Sequence, residues 1–128
     1  MEIKKSSEDY LETILILKEE KGYARSIDVA SHLGVTKPSV SYAVKRLREN
    51  GYLTMDDEGL LNLTDAGMGI ASGTYEKHKI LTEFLVNIGV DRETAMHDAC
   101  EIEHDISRES FDAIRKHIAE LGKNEGVK

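Results

Sequence analysis

The chain has 128 residues, 40% hydrophobic and 32% charged, with no tryptophan, one cysteine and a formal net charge of −7; that is enough for one ordinary core, or for a small module plus a segment completing its core against a second copy. The longest aliphatic run, Ile14-Leu15-Ile16-Leu17, falls far short of the ~20 apolar residues of a membrane span, and Met1-Glu2-Ile3-Lys4-Lys5 opens no secretory segment, so a cytoplasmic protein with no membrane partner is expected. A single cysteine forms no internal disulfide, in keeping with a reducing compartment, and the acidic balance argues against a general nucleic-acid binder.

Turn signals and caps divide the chain into six helical patterns and one hairpin. Ser6 or Ser7 caps a first helix running to about Glu20, with Tyr10, Ile14 and Leu17 as its core stripe, and Lys21-Gly22-Tyr23 ends it. Ser26 caps a short second helix holding Ile27, Ala30 and Leu33; Gly34-Val35-Thr36 then turns into a third helix that accepts Pro38 in its first turn. Two short helices joined by such a turn, the second one basic, form a helix-turn-helix pattern.

From Thr36 to Arg48 the chain carries Lys37, Lys45, Arg46 and Arg48 and no carboxylate, a basic segment inside an acidic protein. On a wheel of ~100° per residue, Val40, Ala43, Val44 and Leu47 share one face, and Ser39, Ser41, Tyr42, Lys45 and Arg46 the other. Hydroxyls approach base edges and phosphates closely, an aromatic ring stacks, and cations contact phosphate or guanine. Those five, with Thr36 and Lys37 at the helix start, are the candidate DNA-binding residues. Taken alone, the face reads equally as solvated surface on a core helix.

Gly51 stops this helix. Tyr52 to Asp56 and Leu60 to Thr64 then alternate apolar and polar residues around an Asp57-Glu58-Gly59 loop. A helix-turn-helix followed directly by a two-stranded ribbon is a winged helix, which favours DNA binding. The wing tip is acidic at Asp56, Asp57 and Glu58 and would be repelled by phosphate, so it is left out of the DNA contacts.

Thr64 caps a long fourth helix to about Gly89, apolar on most sides at Ile70, Leu81, Phe84, Leu85 and Ile88; such all-round apolarity calls for burial, much of it against a second subunit. Asp91 caps the fifth helix and Ser107 the sixth, which fades after Leu121 into a frayed end from Gly122 to Lys128. The fold expected is mainly α: residues 1–63 a winged helix-turn-helix DNA-binding domain, residues 64–128 a helical metal-binding and dimerisation domain.

Cys100, Glu103 and His104 fall at i, i+3 and i+4 of the predicted fifth helix and border its core side at Ala95, Ala99, Ile102 and Ile106, whereas Asp98, Glu101 and Asp105 form the solvated face. Asp9 and Glu12 on the first helix and His78 on the fourth add oxygen and nitrogen donors. Sulfur, nitrogen and oxygen donors in so short a chain point to a transition-metal site. Each residue also has an ordinary reading: a small buried cysteine, solvated carboxylates, a satisfied core histidine.

The chain resembles the diphtheria-toxin-repressor and manganese-transport-regulator family of metal-dependent transcription regulators. The resemblance spans about Glu8 to Leu121 and rests on Glu8-Asp9-Tyr10-Leu11-Glu12, the Val35 to Gly51 segment, Lys77-His78 leading into Phe84-Leu85, and Ile102-Glu103-His104 followed by Ser107. It implies that Asp9, Glu12, His78, Cys100, Glu103 and His104 are metal ligands, that the fourth helix begins the dimerisation domain, and that a metal-loaded homodimer represses metal-uptake genes at palindromic operators. Asp9 is similar to the manganese branch and Cys100 to the iron branch; Thr82 stands where many members have a carboxylate. In length the chain is similar to the manganese regulators, which lack the barrel-like domain of the iron branch. Thiolate ligation favours Fe²⁺, with Co²⁺ or Zn²⁺ as substitutes in vitro, whereas oxygen and imidazole ligands suit Mn²⁺. A metal-independent winged helix responding to a small molecule is the other regulator class; a metallohydrolase ranks last, because the chain lacks His-Glu-x-x-His and an evident nucleophile or base, and no small-molecule substrate is expected.

Overall fold

The computed structural model describes residues 5–127; Met1–Lys4, part of the stretch read above as no secretory segment, and Lys128 lie outside the described residues. The chain divides between Gly73 and Thr74 into two compact units. The first holds α1 (Lys5–Lys21), α2 (Ser26–Leu33), α3 (Lys37–Glu49), β1 (Leu53–Met55) and β2 (Leu61–Leu63), with the opening turns of α4 (Asp65–Asn87). The second holds the remainder of α4, α5 (Arg92–Ile102) and α6 (Arg108–Val127).

The buried side of α1 is broader than the expected stripe. Leu11 and Ile14 are fully enclosed and Leu15 and Leu17 buried, while Tyr10 is only half-buried. Glu12 is buried too, contrary to its reading as a solvated carboxylate, and Asp9 is half-buried. The cap of α2 also differs by one residue. Arg25, not Ser26, is the N-cap, and its backbone N–H is satisfied by the Asp28 carboxylate at 3.3 Å. The reason is tertiary: Arg25 pairs with Leu60 in an isolated antiparallel bridge, and Leu61 N–H donates to Ala24 O at 2.8 Å, so the chain stays extended until it has passed the wing.

Gly34 closes α2 in the left-handed region (φ 68°), where side chains are strained. Thr36 then caps α3, its hydroxyl accepting from Ser39 N–H at 3.3 Å, with Pro38 in the first turn where no N–H is needed. The hairpin pairs Leu53 with Leu63, Thr54 with Asn62 and Met55 with Leu61. Asp56 organises the loop from within: its Oδ1 accepts from the N–H of both Glu58 and Leu60 at 2.9 Å. Thr64 locks the entry to α4, donating its hydroxyl to Gly51 O at 2.7 Å and accepting from Gly67 N–H at 3.1 Å. Gly67 sits so close to the chain before β1 that a Cβ there would lie 2.0 Å from Tyr52 O.

In the second unit Leu81, Ala99 and Phe111 form the buried core, with Ile80, Ile106 and Ile114 against it. Asp91 and Ser107 cap α5 and α6 as expected, accepting from Thr94 and Ser110 N–H. Two expectations fail here. The helix α5 ends at Ile102, and Ile102 is 36% exposed rather than on the core side. The backbone of α6 continues to Val127 instead of fading after Leu121; glycines such as Gly122 cost about 1 kcal/mol in a helix without removing a hydrogen bond. Among the described residues, no helix is long and apolar enough to cross a membrane.

Gly67→Ala is expected to destabilise the protein by about 1–3 kcal/mol, because the Tyr52 carbonyl has to move, whereas Gly69→Ala, with nothing within 4 Å of the added Cβ, should stabilise α4 by up to ~1 kcal/mol. Thermal unfolding of the two variants checks the contrast; equal behaviour would remove the packing argument.

Candidate metal centre and nucleic-acid interface

All seven candidate DNA-binding residues, Thr36, Lys37, Ser39, Ser41, Tyr42, Lys45 and Arg46, are exposed, while Val40, Val44 and Leu47 on the opposite side of α3 are buried. The start of the helix is ordered by the Thr36 Oγ1 to Ser39 Oγ contact at 2.9 Å in addition to the cap. Further along, Arg46 Nη1 donates to Tyr42 Oη at 3.3 Å, and the guanidinium lies 5.8 Å from the Tyr42 ring centroid.

A groove of about 600 Å³ runs between α3 and the wing, lined by Lys45, Arg48, Glu49, Leu53, Thr54 and Met55. It adds Arg48 and the Thr54 hydroxyl to the polar surface beside α3, and neither was in the candidate set. The basic run of the sequence contained Arg48, but its wheel position gave no reason to single it out. Thr54 could be found only from the strand register. Arg25 was missed as well: its Nη1 donates to Glu58 O at 2.9 Å, holding the acidic wing tip by its backbone.

Of the candidate metal ligands, Asp9 and Glu12 belong to α1 in the first unit; His78, Cys100, Glu103 and His104 belong to the second. Within the second unit the four come together. Glu103 is 1% exposed. Its Oε2 lies 3.1 Å from His78 Nδ1, and its Oε1 lies 3.3 Å from His104 Nε2. The contact to His104 has ion-pair distance without hydrogen-bond geometry, so Oε1 is a buried carboxylate oxygen with no hydrogen bond among the described residues. Cys100 Sγ falls within 4.8 Å of a Glu103 carboxylate oxygen.

The backbone explains the grouping. Glu103 and His104 lie beyond the regular part of α5, not on it as the wheel assumed. Glu103 is still in the right-handed helical region, and its N–H donates to Ala99 O at 2.9 Å, which preserves the one-turn relation to Cys100. Coiling continues through the Ile106 N–H to Ile102 O bond at 3.0 Å. His78 is thus neither a surface residue nor a solitary core histidine. Thr82, one turn after it, donates its hydroxyl to His78 O at 2.7 Å and is buried.

A buried anion is costly unless paired and fully hydrogen-bonded, and here one carboxylate oxygen lacks a hydrogen bond. Imidazole nitrogen, carboxylate oxygen and thiol sulfur around that oxygen make a donor set suited to a divalent transition ion. The residues of the second unit therefore fit such an ion.

Residues 2–60 match the family model described as the iron dependent repressor N-terminal DNA binding domain, and residues 64–126 match the iron dependent repressor metal binding and dimerisation domain. The HTH-type transcriptional regulator MntR of Bacillus subtilis (strain 168) is 42% identical over 109 residues, covering 85% of this chain and 77% of that protein. Among solved structures, a manganese-dependent transcriptional repressor in complex with manganese aligns at a TM-score of 0.82 and 26% identity over 88% of this chain and 52% of its own. The IdeR of T. acidophilum aligns at 0.78 and 27% over 93% of this chain and 55% of its own. The chain spans about half the length of those two structures.

Lys45→Ala and Arg48→Ala are each expected to weaken binding to duplex DNA of any sequence and to flatten the dependence of log affinity on log salt by about 0.9 per lost phosphate contact. Salt titrations against a fixed duplex read this directly; an unaltered slope in both would show that the groove does not meet the DNA backbone.

Proposed function

The chain belongs to the iron dependent repressor family, and from that membership we propose that it is a metal-activated, DNA-binding transcription repressor of metal-uptake genes, loaded with Fe²⁺ or Mn²⁺. It is a DNA-binding regulator and not an enzyme. Residues 1–63 form its winged helix-turn-helix DNA-binding domain and residues 64–128 its metal-binding and dimerisation domain. It acts in the cytoplasm as a homodimer on palindromic operator DNA. Exposed Ile88, Met96 and Ile102 are apolar surface on the second domain of the kind a second copy covers.

The observation that carries the metal half of this reading is Glu103, buried and incompletely hydrogen-bonded beside His78, His104 and Cys100. The ligands we propose are these four with Asp9 and Glu12, the positions the family resemblance assigns. A bound divalent cation supplies the positive charge that offsets these carboxylates. The chain's own residues do the rest. His78 and His104 hold the Glu103 carboxylate in place, Thr82 ties its hydroxyl to the His78 carbonyl, and Asp9 and Glu12 carry the influence of the site into α1, which packs on α2 and α3. Ordering α1 in both subunits sets the separation of the two copies of α3 to ~34 Å or a multiple, the spacing of successive half-sites. Linkage requires operator DNA to tighten metal binding by the factor by which metal tightens operator binding.

Solved structures similar to this chain include a manganese-dependent transcriptional repressor and the manganese regulator SloR, while both matching family models are described as iron dependent repressor. Cys100 bears on the choice, since sulfur ligation favours Fe²⁺ and ligation through its backbone carbonyl leaves Mn²⁺ suitable. Co²⁺ and Zn²⁺ serve as substitutes in vitro.

Mn²⁺ or anaerobic Fe²⁺ at a hundred times its Kd should stabilise the wild-type protein by about 2.7 kcal/mol and raise its affinity for a duplex recovered from a random pool. Glu103→Ala and Glu12→Ala should lose both responses and keep weak, salt-sensitive DNA binding. Equal affinity with chelator and with either metal would select a metal-independent, small-molecule-responsive winged helix instead. Cys100→Glu should move the activation profile towards Mn²⁺, and an unchanged profile would refute sulfur ligation.

A further inference from the structure

Tyr42 is 64% exposed, an unusual position for a large aromatic unless its surface is used. It stands one helical turn before Arg46 on α3. The ring sits under the guanidinium at 5.8 Å and its hydroxyl accepts from Nη1 at 3.3 Å. Two contacts on one long side chain narrow its rotamer choice, so less ordering remains to be done on binding. They also leave an edge unused: the Nε–H and Nη2–H fork of Arg46 carries no hydrogen bond among the described residues. That fork is the geometry that meets guanine O6 and N7 in the major groove.

A phosphate could in principle take the same fork, but the surroundings oppose it. The groove of about 390 Å³ at this point is lined by Tyr42, Lys45, Arg46, Glu49 and Asn50. The Glu49 carboxylate repels a phosphodiester, whereas it can accept from the N4 amino group of cytosine. The Asn50 amide is already committed to the Arg46 carbonyl at 2.8 Å. Lys45, one position earlier, has no ring beneath it and remains a mobile point charge suited to the backbone.

Resting on the repressor reading above, we propose that Arg46 is the specificity-determining residue for a G·C pair in each operator half-site, and that Tyr42 is a positioning residue that acts through it. Arg46 reads guanine with its Nε and Nη2 donors while Tyr42 holds Nη1.

The test is selection from a random duplex pool with the full chain, loaded with Mn²⁺ or with anaerobic Fe²⁺, followed by affinity measurements on the recovered duplex and its single-pair variants. Wild type should recover a motif with one G·C pair per half-site whose change to A·T lowers affinity on the order of tenfold. Arg46→Lys keeps the charge and loses the planar fork, so its discrimination at that pair should fall while salt dependence stays as in wild type. Tyr42→Phe, which keeps the ring, should retain part of the discrimination, and Tyr42→Ala should lose it as Arg46→Lys does. Metal-induced stabilisation should be equal in all four proteins. Undiminished G·C preference in Arg46→Lys, or an equal loss on every duplex, overturns the inference and leaves the repressor reading standing. A wild-type chain that selects no sequence with either metal overturns both.

Discussion

A carboxylate that cannot reach water is the constraint around which the second unit is arranged. Glu103 follows the last turn of α5 and lies 3.1 Å from an imidazole of α4 and 3.3 Å from the imidazole of its own neighbour. The core beside it is small, made of Leu81, Ala99 and Phe111 with three isoleucines packed on it. A purely apolar residue at position 103 would extend that core more cheaply, since buried ion pairs contribute little net stability compared with hydrophobic packing. On the proposed reading the carboxylate is kept there to hold a cation, and the incomplete hydrogen bonding of Oε1 supports that reading.

The first unit solves a different problem, which is to hold one helix face rigidly while leaving it open. Apart from its exposed face, the one proposed to meet DNA, α3 is tied down. The Gly34 turn and the Thr36 cap set its start, Val40, Val44 and Leu47 bury its inner face, and the wing is fastened to the α1–α2 connection through Ala24, Arg25 and Leu60. Cations are concentrated on this face in a chain whose total charge is −7. Local attraction to phosphate is thereby kept, while the acidic remainder suppresses adhesion to DNA at large. The acidic loop of the wing is consistent with this division, because Asp56 is spent on its own turn and Arg25 binds the loop by a carbonyl.

The two units share α4. Its start is bolted to the wing by Thr64 and by the close approach of Gly67 to Tyr52, and its later turns carry His78. The helix therefore belongs to both units. A change of role near residue 64 is visible in the sequence as a cap, whereas the compact units divide nine residues later, after Gly73, because the opening turns of α4 pack with the wing.

Local chemistry alone determined the six helices, the hairpin and the exposed side of α3. Caps such as Thr64, Asp91 and Ser107, the turn glycines and the 3.6-residue apolar spacing act within a few residues, so they can be read without knowing what lies across the core. The set of oxygen, nitrogen and sulfur donors was legible for the same reason, as residue types at one-turn spacing. Helical spacing also separated Glu103, on the core border, from the solvated Glu101, and both are found so. Glu12 was not legible: it reads as a solvated carboxylate, and only packing decided that it is buried. The early end of α5, the Arg25 cap and the need for glycine at position 67 were likewise set by tertiary contacts. In each case the deciding partner, the turn into α6, Leu60 or the Tyr52 carbonyl, acts through the three-dimensional path of the chain, which periodicity cannot encode.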